Sequence, residues 1–258
     1  MNLESEKKIS YLWEYLVTAG YLLLFCALTF GCAAFFYVNR SLYSPLSRPP
    51  YEFATNLPPR TATPHIPSID PFKAETPIFR DDFSNNDHQW LSSQDETKEK
   101  LDSDRLFFQA RNEDGYGLIS CDDCPYLESS YYLEASLSTN LETDDDYGLA
   151  FKRSKTLDDF YIFIINPESK KYALWHHTPD DWSFRSSGET NLIRPYPESN
   201  TLGLYASKDF IELYINGEII DSYTESNSSF DTGYFGFYAN ASWFGVYVDN
   251  VVIYEIGK

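Results

Sequence analysis

The chain has 258 residues, of which 39 are acidic and 20 are lysine or arginine, giving a formal net charge of −19 at pH 7. Nucleic acids and anionic polymers are bound by clustered basic side chains, and the sequence has no basic stripe, so both are excluded as partners. P-loop and G-x-G-x-x-G signatures are also absent from the sequence, which leaves no motif for a kinase or a dehydrogenase.

An uninterrupted apolar run at residues 16–38 predicts a transmembrane helix. The run contains no charged side chain. At about 1.5 Å per residue it extends about 34 Å as a helix, slightly more than a hydrocarbon core of about 30 Å. We therefore interpret it as a retained signal-anchor. The alternatives are lipidation of Cys32 and a cleaved signal peptide, and cleavage would leave the aromatic Phe35-Phe36-Tyr37 near the new N-terminus.

The segment before this run, residues 1–15, predicts a short cytoplasmic tail. Lys7 and Lys8 favour an N-terminus inside the cell, although Arg40 and Arg48 beyond the run nearly balance them. The region that follows is long and acidic, and long domains cross membranes largely regardless of charge. We expect a single-pass protein of the plasma membrane whose C-terminal domain is extracytoplasmic.

Residues 39–76 predict a proline-rich linker. Most of the 14 prolines of the chain lie between Pro45 and Pro77, and no glycine occurs between Gly31 and Gly115. Because proline opposes both helix propagation and strand pairing, the segment should be an extended spacer with polyproline II character. A plain disordered linker is the alternative, and both give the same topology.

Residues 77–258 predict an all-β domain. Short β-branched and aromatic runs alternate with turn residues, and no helical periodicity is found after residue 80. The clearest element is a hairpin at residues 210–223, in which Asn216-Gly217 supplies a type I′ turn. The other predicted strands cover residues 105–109, 131–138, 147–153, 160–165, 172–176, 201–206, 233–239 and 243–256.

The order of short aromatic motifs in this domain carries a family resemblance. The domain opens with Phe79-Arg80-Asp81-Asp82-Phe83-Ser84, followed by Trp90. The later motifs are Tyr147-Gly148-Leu149-Ala150-Phe151, Phe160-Tyr161-Ile162-Phe163, Tyr172-Ala173-Leu174-Trp175, Leu213-Tyr214-Ile215-Asn216-Gly217, Gly233-Tyr234-Phe235-Gly236-Phe237-Tyr238 and Val248-Asp249-Asn250-Val251. In this order they resemble a concanavalin A-like jelly-roll sandwich of the laminin G-like and 3-keto-disaccharide hydrolase type. The resemblance implies the fold, and because such domains include lectins, glycosidases and others, it leaves the function open.

The resemblance also implies a structural calcium ion, and no other cofactor is predicted. In many such domains an aspartate of the last strand, in the pattern D-x-V-x-x-Y, meets the first strand. Asp249 fits this pattern, and Asp81 or Asp82 would add further hard oxygen ligands. The alternative is that Asp249 accepts hydrogen bonds from backbone amides at the end of a strand.

The sequence offers no catalytic residues that can be assigned. Glycosidases of this fold carry an E-x-D-x-E array on one strand, and the chain has none. Its acidic groups at residues 144–146, 158–159 and 180–181 are adjacent, so on a strand they would alternate between faces, and we interpret them as solvated turns. The adjacent His176 and His177 should likewise face opposite ways.

Cys121-Asp122-Asp123-Cys124 predicts a local disulfide. The sequence has no second C-x-x-C and no βαβ pattern, which disfavours a zinc site and a redox-active site. An oxidising exterior favours a bond between Cys121 and Cys124 that closes a small loop, with free thiols as the alternative.

Carbohydrate binding is the function that the sequence favours. The chain is 17% aromatic, and sugar rings stack on exposed aromatic faces. Trp182 follows Asp180 and Asp181 in a predicted loop, so we expect these three residues to contact a glycan. Trp175 and Trp243 are further candidates, although each is more consistent with a core position.

Two other functions stay open at this stage. The chain could be a membrane-tethered hydrolase of the 3-keto-disaccharide type, or a structural domain that contacts a cell-surface protein. A face lined by carboxylates and histidine would favour the hydrolase. An exposed loop tryptophan would favour glycan binding, and a flat apolar patch would favour a protein partner.

Overall fold

A computed structural model describes most of the predicted β domain. The described residues are 76–90, 97–111, 115–121, 123–128, 130–154, 159–225, 233–240 and 243–256. All of them belong to Ser47–Lys258, one of the two units into which the chain divides. The predicted tail, the predicted membrane span and the linker up to residue 75 lie outside them. Within the described ranges, no helix is long and apolar enough to cross a membrane.

The described part of the chain consists of strands joined by turns and loops, and it has no helix, which confirms the all-β prediction. The strands are β1 (Phe79–Asp81), β2 (Thr97–Leu101), β3 (Leu106–Ala110), β4 (Gly117–Ile119), β5 (Tyr131–Thr139), β6 (Tyr147–Arg153), β7 (Phe160–Asn166), β8 (Lys171–His177), β9 (Trp182–Glu189), β10 (Asn200–Ala206), β11 (Phe210–Ile215), β12 (Glu218–Thr224), β13 (Tyr234–Ala239) and β14 (Val246–Glu255).

Two antiparallel sheets form a sandwich. The first sheet has the order β12-β11-β10-β5-β14-β3-β2, with β1 paired to β14, and the second has the order β4-β13-β6-β7-β8-β9. Non-consecutive neighbours such as β5 and β14 show that the chain crosses between the sheets, as in a jelly roll. The fold therefore agrees with the predicted jelly-roll sandwich.

The core lies between the sheets and follows the alternation of each strand. In β5, the side chains of Leu133, Ala135 and Leu137 are fully buried in the main core, whereas Tyr132 belongs to a separate cluster on the opposite face. This period of two is what a strand with one face on a core requires. The same pattern in the other strands produces one continuous apolar layer.

Trp90 connects the first strand to this core. Its indole is completely buried, and its Nε1 donates to Asp81 Oδ2 at 2.7 Å, while the amide of Phe83 donates to Asp81 Oδ1 at 2.7 Å. The carboxylate of Asp81 thus satisfies a buried indole N–H that would otherwise cost free energy. The aspartate and tryptophan of the opening motif act together as a structural unit.

The predicted hairpin is confirmed. β11 and β12 pair on either side of Asn216 and Gly217, whose φ angles are 51° and 92°. Two positive φ angles are the requirement of a type I′ turn, and asparagine followed by glycine meets it with little strain.

Several elements differ from the prediction. The residues around Trp182 were predicted to form a loop. They begin strand β9 instead, because the chain pairs along β8 at the edge of the second sheet. Its Ser-rich and Gly-containing sequence gives no β signal of its own. The predicted last strand also begins later, at Val246, because Trp243 and Phe244 belong to the preceding loop.

The antiparallel order places the connecting loops at two opposite ends of the sandwich. We call one of them the Trp243 end, and it contains the described loop residues 140–146, 167–170, 190–199, 216–217 and 243–245. The opposite end contains residues 154, 159, 178–181 and 207–209. The predicted glycan contacts are divided between these ends, since Asp180, Asp181 and Trp182 lie far along the strands from Trp243.

Candidate functional site

Trp243 is the one tryptophan among the described residues with a largely exposed side chain, at 49%. Its indole Nε1 donates to Asp145 Oδ2 at 2.5 Å, and its ring lies 5.5 Å from the ring of the fully buried Phe244. The nitrogen is thus held by a carboxylate while about half of the side-chain surface stays in solvent. The prediction that Trp243 is a core residue is wrong, because the strand that was expected to bury it begins three residues later.

Two loops hold this tryptophan in place. The amide of Asn140 donates to the carbonyl of Gly245 at 3.0 Å, and the amide of Gly245 donates back to Asn140 Oδ1 at 2.8 Å. The amide of Asn240 donates to the carbonyl of Asp146 at 2.9 Å. These hydrogen bonds fix the β13–β14 loop against the β5–β6 loop, so the indole is presented from a braced position.

The β5–β6 loop places two carboxyl groups under this surface. Asp145 and Asp146 are buried, at 8% and 9% exposure, so their prediction as solvated turn residues is wrong. Asn166 Nδ2 donates to Asp146 Oδ1 at 3.0 Å and also to the carbonyl of Asp144. Burial is the main cause that raises the pKa of Asp146 to about 7, and the charges of Asp145 and Asp144 raise it further, whereas the Asn166 hydrogen bond lowers it.

Groups with strongly perturbed pKa values occur at functional sites more often than elsewhere. The Trp243 end combines such a group, Asp146, with an exposed indole, on loops that strands hold in position. A ligand there would meet an indole surface and a negative potential. Among the described residues of this end, no arrangement identifies a nucleophile or a general base.

A second polar cluster, which we call the His176 cluster, lies at the edge where β9 faces β12. His176 Nε2 contacts Asp159 Oδ1 at 2.7 Å, and Arg185 Nη2 contacts His176 Nδ1 at 2.9 Å. Arg185 Nε lies 3.6 Å from Glu225 Oε2, and the hydroxyl of Tyr161 donates to the same carboxylate. The rings of Tyr161 and His176 stack with centroids 4.2 Å apart.

The partners of His176 indicate which of its ring nitrogens donates and which accepts. A guanidinium can only donate, so Nδ1 must accept from Arg185, and the ring proton lies on Nε2 and is donated to Asp159. Both ring nitrogens are therefore engaged, and neither can serve as a general base in this arrangement. The pKa of the Tyr161 hydroxyl is raised above its usual range, mainly by burial and also by Glu225, so this hydroxyl stays protonated.

Two carboxylates of this edge, Asp221 and Glu225, are also badly spaced for glycoside hydrolysis. Asp221 and Glu225 are four residues apart along one extended segment, which corresponds to about 13 Å. Glycosidases need a separation of about 5 to 9.5 Å. Asp221 is bound in addition by the hydroxyls of Ser186 and, at 3.4 Å, Tyr172. These contacts tie the two sheets together along their edge.

The structure buries Trp182, which the sequence favoured as a glycan contact, and it also buries Trp175, for which the sequence favoured a core position. Trp182 is the first residue of β9 and is 5% exposed, with its ring 5.7 Å from those of Tyr116 and Phe160. Trp175 is equally buried and packs edge-on against Phe184. Trp182 thus packs in an aromatic cluster on the outer face of the second sheet and does not provide the exposed loop platform that the sequence predicted.

Asp180 and Asp181 are exposed in the β8–β9 turn, as predicted. Asp181 Oδ1 accepts from the backbone amide of Trp182 at 2.7 Å, so it caps the start of β9. The prediction for the histidines is confirmed as well. His176 lies over Tyr161, whereas His177 stacks on Phe160 on the other face of the sheet, with centroids 4.7 Å apart.

The outer face of the first sheet carries two tyrosine–glutamate pairs. The Tyr132 hydroxyl donates to Glu134 Oε2 and the Tyr214 hydroxyl donates to Glu212 Oε2, both at 2.8 Å. Burial is the largest cause that raises the pKa of both tyrosines above the usual range, and the neighbouring glutamates add to it. The hydroxyls therefore stay protonated as donors, and the two glutamates serve as their acceptors.

The three aspartates of the predicted calcium site lie close in the fold, because Asp81 pairs in register with Val251 of β14. Asp81 already accepts from Trp90 and Phe83, however, and Asp249 Oδ1 accepts from Asn250 Nδ2 at 2.5 Å. Asp82 Oδ1 accepts from the exposed Ser84 amide. Across the described residues, no group of three His, Cys, Asp or Glu side chains is arranged to hold a metal ion. Calcium binding stays a prediction.

Cys121 and Cys124 are joined in a disulfide, with Cα atoms 5.2 Å apart. This separation is within the usual range for the bond. Both residues are buried against the main core. They follow β4, which runs away from the Trp243 end because its Gly117 pairs with Ala239 and its Ile119 with Phe237.

Comparison with known proteins adds the class of fold. No protein-family model matches the chain, and no curated protein matches it. Among solved structures, a Bacillus subtilis protein of unknown function with a galectin-like fold is similar with a TM-score of 0.53 and 12% identity, over 70% of this chain and 96% of that one.

Two glycan-active structures show the same likeness. The Bacillus licheniformis beta-glucanase has a TM-score of 0.51 at 10% identity, over 69% of this chain and 97% of its own. A structure described with endo-acting O-glycanases of the human gut microbiota has a TM-score of 0.50 at 8% identity, over 70% of this chain and 100% of its own. At these identities the likeness shows the fold. The described domain is a concanavalin A/galectin-like jelly roll.

Proposed function

We propose that this jelly roll binds carbohydrate at the Trp243 end. The observation that carries the proposal is the half-exposed Trp243, whose indole nitrogen is held by Asp145 on a braced loop. Sugar rings pack their C–H edges on such aromatic surfaces. Similarity to glycan-active jelly rolls supports the same class of ligand, although fold alone does not carry function.

Hydrolysis is less well supported than binding. Both nitrogens of His176 are engaged by Asp159 and Arg185, and Asp221 and Glu225 are too far apart along their strand for a glycosidase pair. The glutamates on the outer face of the first sheet accept from buried tyrosines. The 3-keto-disaccharide hydrolase function predicted as an alternative has no residues in the described structure to which its steps could be assigned.

We further propose that the module is anchored in the plasma membrane by residues 16–38 and displayed outside the cell. The support is the length and apolar character of that run and the proline-rich segment that follows it. Protease treatment of intact cells tests the topology. Digestion of the β domain is expected, and its full survival under conditions that digest a known surface protein would refute the proposed display.

Glycan-array binding by the full chain in detergent or nanodiscs tests the binding function. We expect the Trp243→Ala variant to lose affinity by about tenfold or more, in line with the loss of one aromatic stacking surface. Ile78→Ala is the matched control, because Ile78 has a similarly exposed apolar side chain at the other end of β14. No binding to any glycan, or equal affinity of both variants, would refute the proposal and favour a protein partner.

A further inference from the structure

Exposed apolar side chains gather at the Trp243 end. Among the described residues, the large apolar side chains with high exposure are Ile78, Leu192, Tyr196 and Trp243. Leu192 and Tyr196 belong to the loop between β9 and β10, so three of these four lie at this end. Tyr196 is 43% exposed, close to the 49% of Trp243. A gathering of exposed apolar groups marks an interaction site more often than scattered single ones do.

The β9–β10 loop is fixed from below by Asn200, whose side chain is completely buried. Its Nδ2 donates to the Arg194 carbonyl at 2.9 Å, and its Oδ1 accepts from the Arg194 amide at 2.7 Å. The amide of Glu198 donates to the carbonyl of Pro195 at 2.9 Å and closes a turn around Tyr196. A buried side chain that satisfies both backbone groups of a loop residue rigidifies the loop.

Two neighbouring turns support the same loop. Lys170 Nζ, from the β7–β8 turn, donates to the Ile193 carbonyl at 2.7 Å. Asn216 Nδ2, from the β11–β12 turn, donates to the Leu192 carbonyl at 2.7 Å. The side chain of Ile193 is buried in the main core. Tyr196 is therefore an exposed ring on a braced loop, and little conformational freedom would be lost when a ligand covers it.

The two exposed rings stand on different loops of this end. The β9–β10 loop leads into β10 and the β13–β14 loop leads into β14, and β5 lies between these two strands. Two strand spacings put them about 10 Å apart in the first sheet. In the second sheet, β9 and β13 are four spacings, or about 19 Å, apart. One sugar ring therefore cannot stack on Trp243 and Tyr196 together.

We propose that Trp243 and Tyr196 are two contact points for one linear glycan, whose chain crosses this end of the sandwich past the β5–β6 loop. The inference rests on the proposed carbohydrate binding and specifies its ligand class, which is an extended oligosaccharide and not a single terminal sugar. Once one sugar stacks on Trp243, the second contact is intramolecular. It adds affinity only if the chain is long enough to reach Tyr196.

Oligomer ladders on a glycan array test the inference with the full chain in nanodiscs. The ladders consist of β-1,3-linked glucose, β-1,4-linked glucose, β-1,4-linked mannose and β-1,4-linked N-acetylglucosamine, each from one to eight units. We expect binding along at least one ladder, with an affinity gain of about tenfold once the chain reaches both rings. Binding that does not increase with length, or that is confined to single terminal sugars, would overturn the inference.

Variants of the two rings show whether the length dependence comes from Tyr196. On the ladder that binds, Tyr196→Ala should weaken the longest oligomers about tenfold and leave the shortest bound oligomer unchanged, whereas Trp243→Ala should weaken all lengths. Tyr196→Phe keeps the ring and should bind like the wild type. Ile78→Ala is the control for an exposed apolar side chain at the opposite end. Equal weakening of every length by Tyr196→Ala would contradict a second contact point.

The outcomes also separate this inference from the proposed function. Loss of binding in Trp243→Ala, with wild-type affinity of Tyr196→Ala at every length, would overturn the second contact and leave carbohydrate binding at Trp243 intact. Binding of other array glycans without binding along any ladder would have the same meaning. Failure of every glycan would overturn both.

Discussion

Replacing Asp146 by asparagine should change how stability depends on pH. The pKa of this buried carboxyl group is raised from 3.8 to about 7, mainly by burial. Below about pH 4 the group is protonated in both the folded and the unfolded chain. Between about pH 4 and pH 7 the folded chain keeps a proton that the unfolded chain has released, so the free energy of unfolding falls as pH rises. Above about pH 7 this loss is complete.

The size of the effect follows from the same numbers. A pKa difference of about three units between the folded and the unfolded chain corresponds to about 4 kcal/mol at high pH. Asparagine does not titrate, and its side-chain oxygen can still accept from Asn166. Asp146→Asn should therefore match the wild type near pH 4 and exceed it by up to about 4 kcal/mol at pH 8.

Urea unfolding of the full chain in detergent, followed by tryptophan fluorescence at a series of pH values, measures this difference. Glu142→Gln is the control, because it removes an exposed carboxylate of the same loop and leaves Asp146 in place, so the fall of stability with rising pH should persist in this variant. A stability difference between wild type and Asp146→Asn that stays constant from pH 4 to 8, within about 1 kcal/mol, would refute the assignment of Asp146 as a desolvated acid.

The remaining predictions concern the supports of the fold. Asp81→Ala should lower the free energy of unfolding by about 2–4 kcal/mol, because it leaves the buried indole N–H of Trp90 without its acceptor. A thermal melt measures this loss of stability. His176→Gln should retain more stability than His176→Ala, since an amide can donate to Asp159 and accept from Arg185; equal melting temperatures would contradict the proposed hydrogen-bond roles. If calcium binds near Asp249, a chelator should lower the melting temperature of the domain. An unchanged melting temperature would contradict the predicted calcium site.

The strands that the sequence predicted well are those with their own local signal. The Asn216-Gly217 turn requires two positive φ angles that few other residue pairs accept, so the hairpin was recognisable without any tertiary information. The run that became β7 is so rich in isoleucine and aromatic residues that a strand was predicted there. In these segments local propensity and tertiary packing favour the same structure.

β9 shows where local signal is insufficient. Its sequence from Trp182 onward is rich in serine and includes Gly188, which disfavours a strand, yet the exposed edge of β8 offers a row of backbone partners. Pairing with that edge turns a predicted loop into a strand and buries Trp182. A tryptophan next to two aspartates therefore looked like a loop platform only because its pairing partner could not be identified from the sequence.

The position of Trp243 could have been suspected from its neighbours. Asn240 and Gly245 bracket it with residues typical of turns, which argues for a loop before the last strand. The contact with Asp145, by contrast, joins residues 98 positions apart and depends on the crossing of β14 beside β5. No local pattern contains that information.

The distribution of aromatic exposure explains why the candidate site lies at an end of the sandwich. On the outer face of the second sheet, Trp175 and Trp182 are buried among other rings, and on the outer face of the first sheet Tyr132 and Tyr214 are buried and donate to glutamates. A ring that is already covered has no surface on which a sugar can stack. Of the described tryptophans, Trp243 alone combines large exposure with a fixed orientation, so a glycan that binds this jelly roll by aromatic stacking is expected at its loops.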